Sequence, residues 1–428
     1  MNFSDSEIIA SILSNEDCEI TLDYLQADII FINTCSIREH AEQRVFKRLS
    51  ELRSLKKKKP ALVIGVLGCM AERLKDKLFE KEDMVDIIVG PDAYRLLPQI
   101  LSDVAMGNKE INTLLSEEET YEGIMPVRYS GNGVSAFVSI MRGCRNFCSY
   151  CVVPYTRGTE RSRNVDSIIE EFKDLSQKGY REITLLGQNV NSYKWNSLDE
   201  VINFSELLDK VAQIDPLIRI RFATSHPKDI SDELLHIIAK HKNICKSIHL
   251  PVQSGSSSVL KRMNRSYTRE MYLKRIEAIK NIIPDCSIST DIITGFCGET
   301  EQEHNDTLSI MENVKFDAAY MFKYSEREGT LAAKKYKDDV PESIKKTRLN
   351  EIITLQQKNS LEKNKKDIGK TFEVLVEGIS KRSNFQVYGR NSQNKVLVFE
   401  ASKELIGKYS QVRVERCTSA TLIGTLIR

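Results

Sequence analysis

The sequence has little of what marks a membrane or secreted protein. It has one tryptophan in 428 residues, and its longest nearly uninterrupted apolar run, residues 61–71, is too short to cross a bilayer. The first residues, Met-Asn-Phe-Ser-Asp-Ser-Glu7, lack the basic start and apolar stretch of a secretory signal, so a cytoplasmic location is expected. Net charge is nearly absent as well: 62 Lys and Arg against 60 Asp and Glu leave +2, a balance that names no partner. Long polar, low-hydrophobicity tracts are missing too. With 41% hydrophobic and 29% charged residues the chain is an ordinary globular mix, long enough for two to four domains.

What is present is unevenly placed. Residues 365–428 carry a net +6 and the rest a net −4, a basic module on an acidic body. Such a module suits a nucleic-acid arm, and equally a basic domain with no such partner. Residues 28–34, 61–67 and 86–89 are buried-strand runs separated by helical patterns (Val45, Leu49, Leu52 and Leu55 at helical spacing), which imply a parallel α/β domain. The acidic stretch 116–122 is expected to be a linker. A β-then-α rhythm follows, with strand candidates at 136–140, 182–186, 218–223, 247–252, 287–293 and 319–324, which fits an open or closed β/α barrel. Within it, Ser167-Ile-Ile-Glu170 has the form of a capping box opening a helix. A charged helix over 341–366, with Leu349, Ile352, Ile353 and Leu355 on one side, leads to period-two strands at 372–377, 396–399, 411–415 and 422–427, a small β-barrel of the oligonucleotide-binding sort.

Ten cysteines in a chain without an export signal are not expected to form disulfides. Cys18, Cys245, Cys286, Cys297 and Cys417 are scattered and are expected to be inert packing residues. Three are clustered, in Arg142-Gly-Cys-Arg-Asn-Phe-Cys-Ser-Tyr-Cys-Val-Val-Pro154. Cys144, Cys148 and Cys151, spaced C-x3-C-x2-C directly after the first barrel strand, suit a cysteine-ligated iron–sulfur cluster. Three thiolates on a four-iron cluster leave one iron open, which distinguishes a reactive centre from a closed structural one. The alternative is a structural zinc site in a non-enzymatic RNA-binding protein, but no His or Cys in the next dozen residues supplies a fourth ligand.

The trio resembles that of the radical S-adenosylmethionine (SAM) superfamily, in which the open iron chelates SAM and cleaves it reductively to a 5′-deoxyadenosyl radical. The resemblance implies that Tyr150, just before the last cysteine, packs near the SAM adenine. It also implies that Gln188, Ser225, Gln253 and Asp291, at later strand ends, hold the rest of the cofactor. Three longer runs, Cys-Ser-Tyr-Cys-Val-Val-Pro-Tyr-Thr-Arg-Gly-Thr-Glu-Arg-Ser-Arg163, Leu-Leu-Gly-Gln-Asn-Val-Asn-Ser-Tyr193 and Arg-Met-Asn-Arg-Ser-Tyr-Thr268, resemble the MiaB group of methylthiotransferases. That similarity covers essentially the whole chain. It implies an N-terminal methylthiotransferase domain (1–115), a radical SAM partial (β/α)6 barrel (130–360) and a C-terminal antiparallel TRAM β-barrel that binds RNA (365–428).

The reaction it implies is methylthiolation of C2 of N6-dimethylallyladenosine at tRNA position 37, beside the anticodon. One SAM supplies a methyl group and a second supplies the radical, because no side-chain acid or base reaches an unactivated C–H bond. Sister enzymes act on threonylcarbamoyladenosine in tRNA or on a ribosomal protein. The expected partners are the tRNA anticodon stem-loop and a one-electron donor such as flavodoxin or ferredoxin, with no membrane association and a monomeric chain. The resemblance also implies a second [4Fe-4S] cluster, held in part by Cys35 in Asn-Thr-Cys-Ser-Ile and Cys69 in Leu-Gly-Cys-Met-Ala. Its first ligand lies in a Gly-Cys-Gln-Met-Asn motif of which this sequence shows only Met-Asn, so poor assembly of that cluster is expected. Arg157, Arg161 and Arg163, and Lys381, Arg382 and Arg390 in the basic module, are the expected RNA contacts.

Overall fold

The computed structural model describes residues 1–34, 39–129, 131–197 and 200–427, and the chain divides into two units. The first comprises Met1–Ser130, Met141–Phe147 and Cys151–Ser167; the second comprises Gly131–Ile140, Cys148–Tyr150 and Ile168–Arg428. Among the described residues no helix is long and apolar enough to cross a membrane.

The first unit is built on strands β1 (Ile29–Thr34), β2 (Val63–Gly68), β3 (Ile87–Val89) and β4 (Glu110–Asn112), all parallel and hydrogen-bonded in that order. Alternation along β2 sends Ile64 and Val66 to one face, against Val45, Leu49 and Leu52 of helix α2 (Glu39–Lys58). Val63 and Leu67 go to the other, with Ile8 and Ile12 of helix α1 (Asn2–Ser14). Each of these side chains taken out of water contributes about 1.5–3 kcal/mol. Helix α3 (Cys69–Leu74) starts directly at the end of β2, so the fold places Cys69 at the C-terminal edge of the sheet.

The stretch 116–122 is not a free linker. Tyr121 is buried, stacks on Tyr94 at 5.5 Å between ring centroids and donates its hydroxyl to the Pro91 carbonyl; Glu119 pairs with Arg95 at 2.7 Å. One aromatic among the acidic residues is enough to dock the segment, because its apolar area outweighs the neighbours' preference for water.

The second unit contains six parallel strands: β5 (Ser135–Ser139), β6 (Glu182–Leu186), β7 (Arg219–Phe222), β8 (Ser247–His249), β9 (Ser287–Thr294) and β10 (Ala318–Lys323). They form two three-stranded sheets, β7-β6-β5 and β8-β9-β10, linked by a parallel bridge from Ile220 to Ile244, which is the expected partial (β/α)6 barrel. Helix α4 (Val165–Gln177) crosses from β5 to β6. It begins before Ser167, so the capping-box reading is corrected: Asn164 accepts from the Asp166 amide instead, and Ser167 lies in the first turn. On helix α5 (Glu342–Lys365) the buried stripe is largely polar, with Lys345, Arg348, Gln356 and Asn359 beside Ile352.

The basic module is a closed barrel of β11 (Thr371–Ile379), β12 (Gln386–Arg390), β13 (Val396–Glu400), β14 (Tyr409–Cys417) and β15 (Leu422–Leu426). Four ladders are antiparallel, but β13 pairs with β15 in parallel, a departure from the all-antiparallel expectation. Arg219, at the start of β7, donates to the carbonyls of Arg390 and Glu373, and the Tyr409 hydroxyl donates to those of Arg181 and Leu217. The small barrel is thus tied to the N-terminal ends of the larger barrel's strands, the ends opposite their C-terminal ends.

Candidate active site

Those C-terminal ends carry buried polar atoms with no partner among the described residues. Past β6, the Gln188 side-chain carbonyl, the Asn189 carbonyl and both amide atoms of Asn191 are unsatisfied; past β7, so are the Ser225 hydroxyl and His226 Nε2; at the end of β9, the Thr294 hydroxyl. Burying a polar group without a partner costs about 1–3 kcal/mol each, so a ring of them at one end of a parallel sheet marks a site completed by a polar ligand. Asn189 is half satisfied, donating to Asp229 at 2.7 Å. Gln253 follows β8 with a left-handed backbone, φ 67°, and bridges to Ile292 of β9. Asp291 sits mid-β9, 3.5 Å from His249 Nε2. His226 is neutral here: burial, with Arg265 and Lys228 nearby, pulls its imidazole down to about 2. Tyr150 is half-buried against the cluster formed by Val259, Met263, Phe296 and Tyr324.

Cys148 lies in the same unit and is buried. Its thiol accepts a 3.1 Å hydrogen bond from Arg265 Nη1. The adjoining Ser149 is fastened on both sides, its amide to the Met263 carbonyl at 2.9 Å and its hydroxyl to that of Arg262 at 2.9 Å. Cys144 and Cys151 belong to the first unit. There the backbone turns at Gly143 (φ 78°), where a Cβ would come within 1.9 Å of the Thr159 carbonyl oxygen, so only glycine fits beside Cys144. The Val153 amide points at Cys151 Sγ at 3.5 Å. Among the described residues no three His, Cys, Asp or Glu side chains converge as a single ion would require. A four-iron cube takes one thiolate per iron and asks for no such convergence, so the donor chemistry, three soft thiols in the sequence and, within the second unit, orphaned polar groups at the strand ends, fits a cluster with SAM.

In the first unit, Cys69 is buried and accepts from Arg157 Nε at 3.1 Å. Arg157 also pairs with Asp5 at 2.6 Å, and Asp5 takes a second guanidinium from Arg142 at 2.9 Å. Burial alone would raise the Asp5 carboxyl, but Arg142 and Arg157 outweigh it and hold it at about 2. Arg161 pairs with Asp92 at 3.0 Å and donates to the Ser116 carbonyl; Arg163 donates to the Ser167 hydroxyl and carbonyl. Arg157, Arg161 and Arg163, expected as RNA contacts, are all buried and turned to partners inside the first unit, although Arg157 Nη1 and Arg161 Nε have no partner among the described residues. Glu72, one turn after Cys69, has an unsatisfied carboxylate oxygen, and burial pushes its carboxyl up to about 7. Cys35 lies outside the described residues.

On the basic module, Lys381 and Arg382 are exposed in the β11–β12 connection, beside Phe385 at 82% exposure, while Arg390 is half-buried in a salt bridge with Glu377. The scattered cysteines behave as packing residues: burial pushes up the thiols of Cys245, Cys286 and Cys297. The residues missed from the sequence are Asp5, Glu72, Arg142, Asn191, His226 and Arg265. Arg265 stands in Arg-Met-Asn-Arg-Ser-Tyr-Thr268, where a second arginine in an otherwise polar run was the available signal.

Residues 138–311 match the radical SAM superfamily, 365–427 the TRAM domain and 1–90 an uncharacterized protein family, UPF0004. Among solved structures, the radical SAM methyltransferase TsrM from Kitasatospora setae, with cobalamin and a [4Fe-4S] cluster bound, superposes with a TM-score of 0.59 at 13% identity, over 77% of this chain and 73% of that one. At that identity the likeness speaks for the fold alone. Barrel, cysteine trio and appended small β-barrel together define a radical SAM enzyme with a TRAM domain. A protein of Amoebophilus asiaticus named tRNA-2-methylthio-N(6)-dimethylallyladenosine synthase is 58% identical, over 100% of this chain and 90% of its own; one of that name from Bacteroides thetaiotaomicron is 57% identical over 99% and 93%. The chain belongs to the family of tRNA-2-methylthio-N(6)-dimethylallyladenosine synthases.

Proposed function

We propose that this protein is the tRNA methylthiotransferase that installs the 2-methylthio group on N6-dimethylallyladenosine beside the anticodon. The observation that carries the proposal is 58% identity along the whole chain to a synthase of that name. Cys144, Cys148 and Cys151 hold the [4Fe-4S] cluster. Gln188, Ser225 and Gln253, past the C-terminal ends of β6, β7 and β8, and Asp291, within β9, would offer SAM polar contacts, and Tyr150 an aromatic face. When bound, cluster and SAM supply a carbon radical able to take an unactivated hydrogen, chemistry no side chain provides. The protein's part is positioning and keeping water out: neutral His226 and the amides of Asn189 and Asn191 orient ligand groups without adding charge.

The domain limits follow as 1–115, 130–360 and 365–428. Cys69, with Cys35, is assigned to a second cluster in the first of these, and the place of Cys69 at the C-terminal edge of the parallel sheet supports that assignment. The chain works in the cytoplasm as a monomer and takes electrons from a flavodoxin- or ferredoxin-type donor. Lys381 and Arg382 grip the tRNA backbone.

Anaerobically reconstituted protein, given SAM, a strong reductant and tRNA bearing N6-dimethylallyladenosine, should yield the 2-methylthio nucleoside by mass spectrometry, and Cys148→Ala should yield neither product nor 5′-deoxyadenosine. Product only with threonylcarbamoyladenosine tRNA would move the assignment to the sister enzyme. Reversing the charges of Lys381 and Arg382 should weaken tRNA binding about tenfold at moderate salt with 5′-deoxyadenosine formation unchanged, since each lost phosphate contact removes released counterions from the balance. Equal binding would take the small barrel out of tRNA recognition.

A further inference from the structure

Arg265 is a half-buried cation in an unusual position. Its Nε donates to the Tyr267 hydroxyl at 2.9 Å, Nη2 to the Pro251 carbonyl at 3.2 Å and Nη1 to Cys148 Sγ at 3.1 Å, and its guanidinium lies 5.1 Å from the Tyr267 ring centre. None of these groups is a carboxylate, and among the described residues Arg265 forms no ion pair. A guanidinium stays charged even when half-buried with all its donor edges turned inward, and a counter-charge nearby favours it. Among its hydrogen-bond partners in the described residues, the cysteine sulfur is the one suited to supply it.

The distance is built into the backbone. Ser149, next to Cys148, is tied to the carbonyls of Arg262 and Met263, and the Ala332 amide donates to its carbonyl at 2.6 Å. The Arg265 amide closes back on Leu260 at 2.8 Å. Tyr267, which orients Arg265, is itself held by the carbonyls of Pro251 and Val252, directly before Gln253. One side chain therefore joins the cysteine loop to the strand end that carries a SAM contact.

We propose that Arg265 is the counter-ion of the Cys148 thiolate and, as a positioning residue acting through that sulfur, sets how readily the iron–sulfur centre accepts an electron. The inference rests on the radical SAM reading of the cysteine trio. One electron passes from an external one-electron reductant to the centre; no bond forms or breaks, and the added negative charge is stabilised by the fixed guanidinium. Hydrogen bonds to cluster sulfurs and the charge around them are among the levers a protein has on such potentials.

The test is an EPR-monitored redox titration of the reconstituted full chain with dithionite, alongside iron and sulfide content and the thermal melt. Arg265→Gln should keep its iron but lower the reduction equilibrium at least tenfold, a midpoint about 59 mV more negative for one electron. Arg265→Lys, which keeps the charge, should show less than half that shift. Arg269→Gln, four residues on and bonded to Gly255 and Asp306 carbonyls, should show none. A glutamine variant with wild-type iron and a wild-type midpoint would overturn the proposal, as would a lysine variant shifted as far as glutamine. If the glutamine variant cannot hold iron, the lysine variant decides: a near-wild-type midpoint supports the charge role, and loss of iron there too would reduce Arg265 to loop scaffolding and overturn it. A wild-type chain that takes up no iron would sink the radical SAM reading itself, a separate result.

Discussion

Two buried cysteines, one in each unit, accept an arginine N–H at the same 3.1 Å: Cys69 from Arg157 and Cys148 from Arg265. The local hydrogen bonds match, but the charge around them does not. Arg157 shares Asp5 with Arg142, so its positive charge is already answered by a carboxylate at 2.6 Å. Arg265 has a phenol and a carbonyl for company, and its charge is left for the sulfur. A donor geometry alone therefore does not say what an arginine does to a thiol; the carboxylate inventory behind the arginine decides it.

The largest effect should come from erasing that difference. Asp5→Ala leaves two buried guanidinium groups without their shared carboxylate and should destabilise the first unit by about 3–5 kcal/mol, the usual cost of breaking a buried ion pair from one side. Urea denaturation would measure it, and a loss under about 1 kcal/mol would mean that Asp92, 3.8 Å from Arg142, already carries the load. Removing the other partner should cost less. Arg157→Gln leaves Asp5 paired with Arg142, so about 1–3 kcal/mol is expected, and a larger loss than for Asp5→Ala would invert the proposed hierarchy.

The same contrast separates what the sequence made legible from what it hid. Buried parallel strands are apolar runs, so 182–186 was placed to the residue, and the cysteine spacing announced its own chemistry. Strand β12, Gln-Val-Tyr-Gly-Arg390, was missed because a glycine interrupts it. Glycine is there because a Cβ at Gly389 would sit 2.0 Å from the Leu375 carbonyl oxygen of the neighbouring strand, a contact between residues distant in sequence. Arg157, Arg161 and Arg163 looked like solvent- or RNA-facing charges because their partners are remote: Asp5 lies 152 residues from Arg157, and Asp92 lies 69 from Arg161. Charge is local information, while its neutralisation is a property of the fold. Arg265 was hidden for the opposite reason, since its partner is a cysteine already assigned to another task.

The smallest effect concerns the carboxylate that, unlike Asp5, has no arginine. Among the described residues the cation paired with Glu72 is Lys75, at 3.6 Å, and burial dominates, raising its carboxyl from 4.5 to about 7. A folded-state value above the unfolded one means the folded form holds the proton more tightly, so stability is greatest below pH 4.5 and is lost as pH rises from about 4.5 to about 7. The slope within that window should be at most about 1.4 kcal/mol per pH unit and should flatten above pH 7, where both states have lost the proton. Glu72→Gln, which keeps the shape and cannot ionise, should remove this component, so the variant gains on the wild type across the window and holds a constant lead beyond it. Thermal melts at pH 5, 6, 7 and 8 would show that divergence. Parallel curves would mean that Lys75 neutralises Glu72 as fully as the two arginines neutralise Asp5, leaving Arg265 as the odd charge among the groups compared.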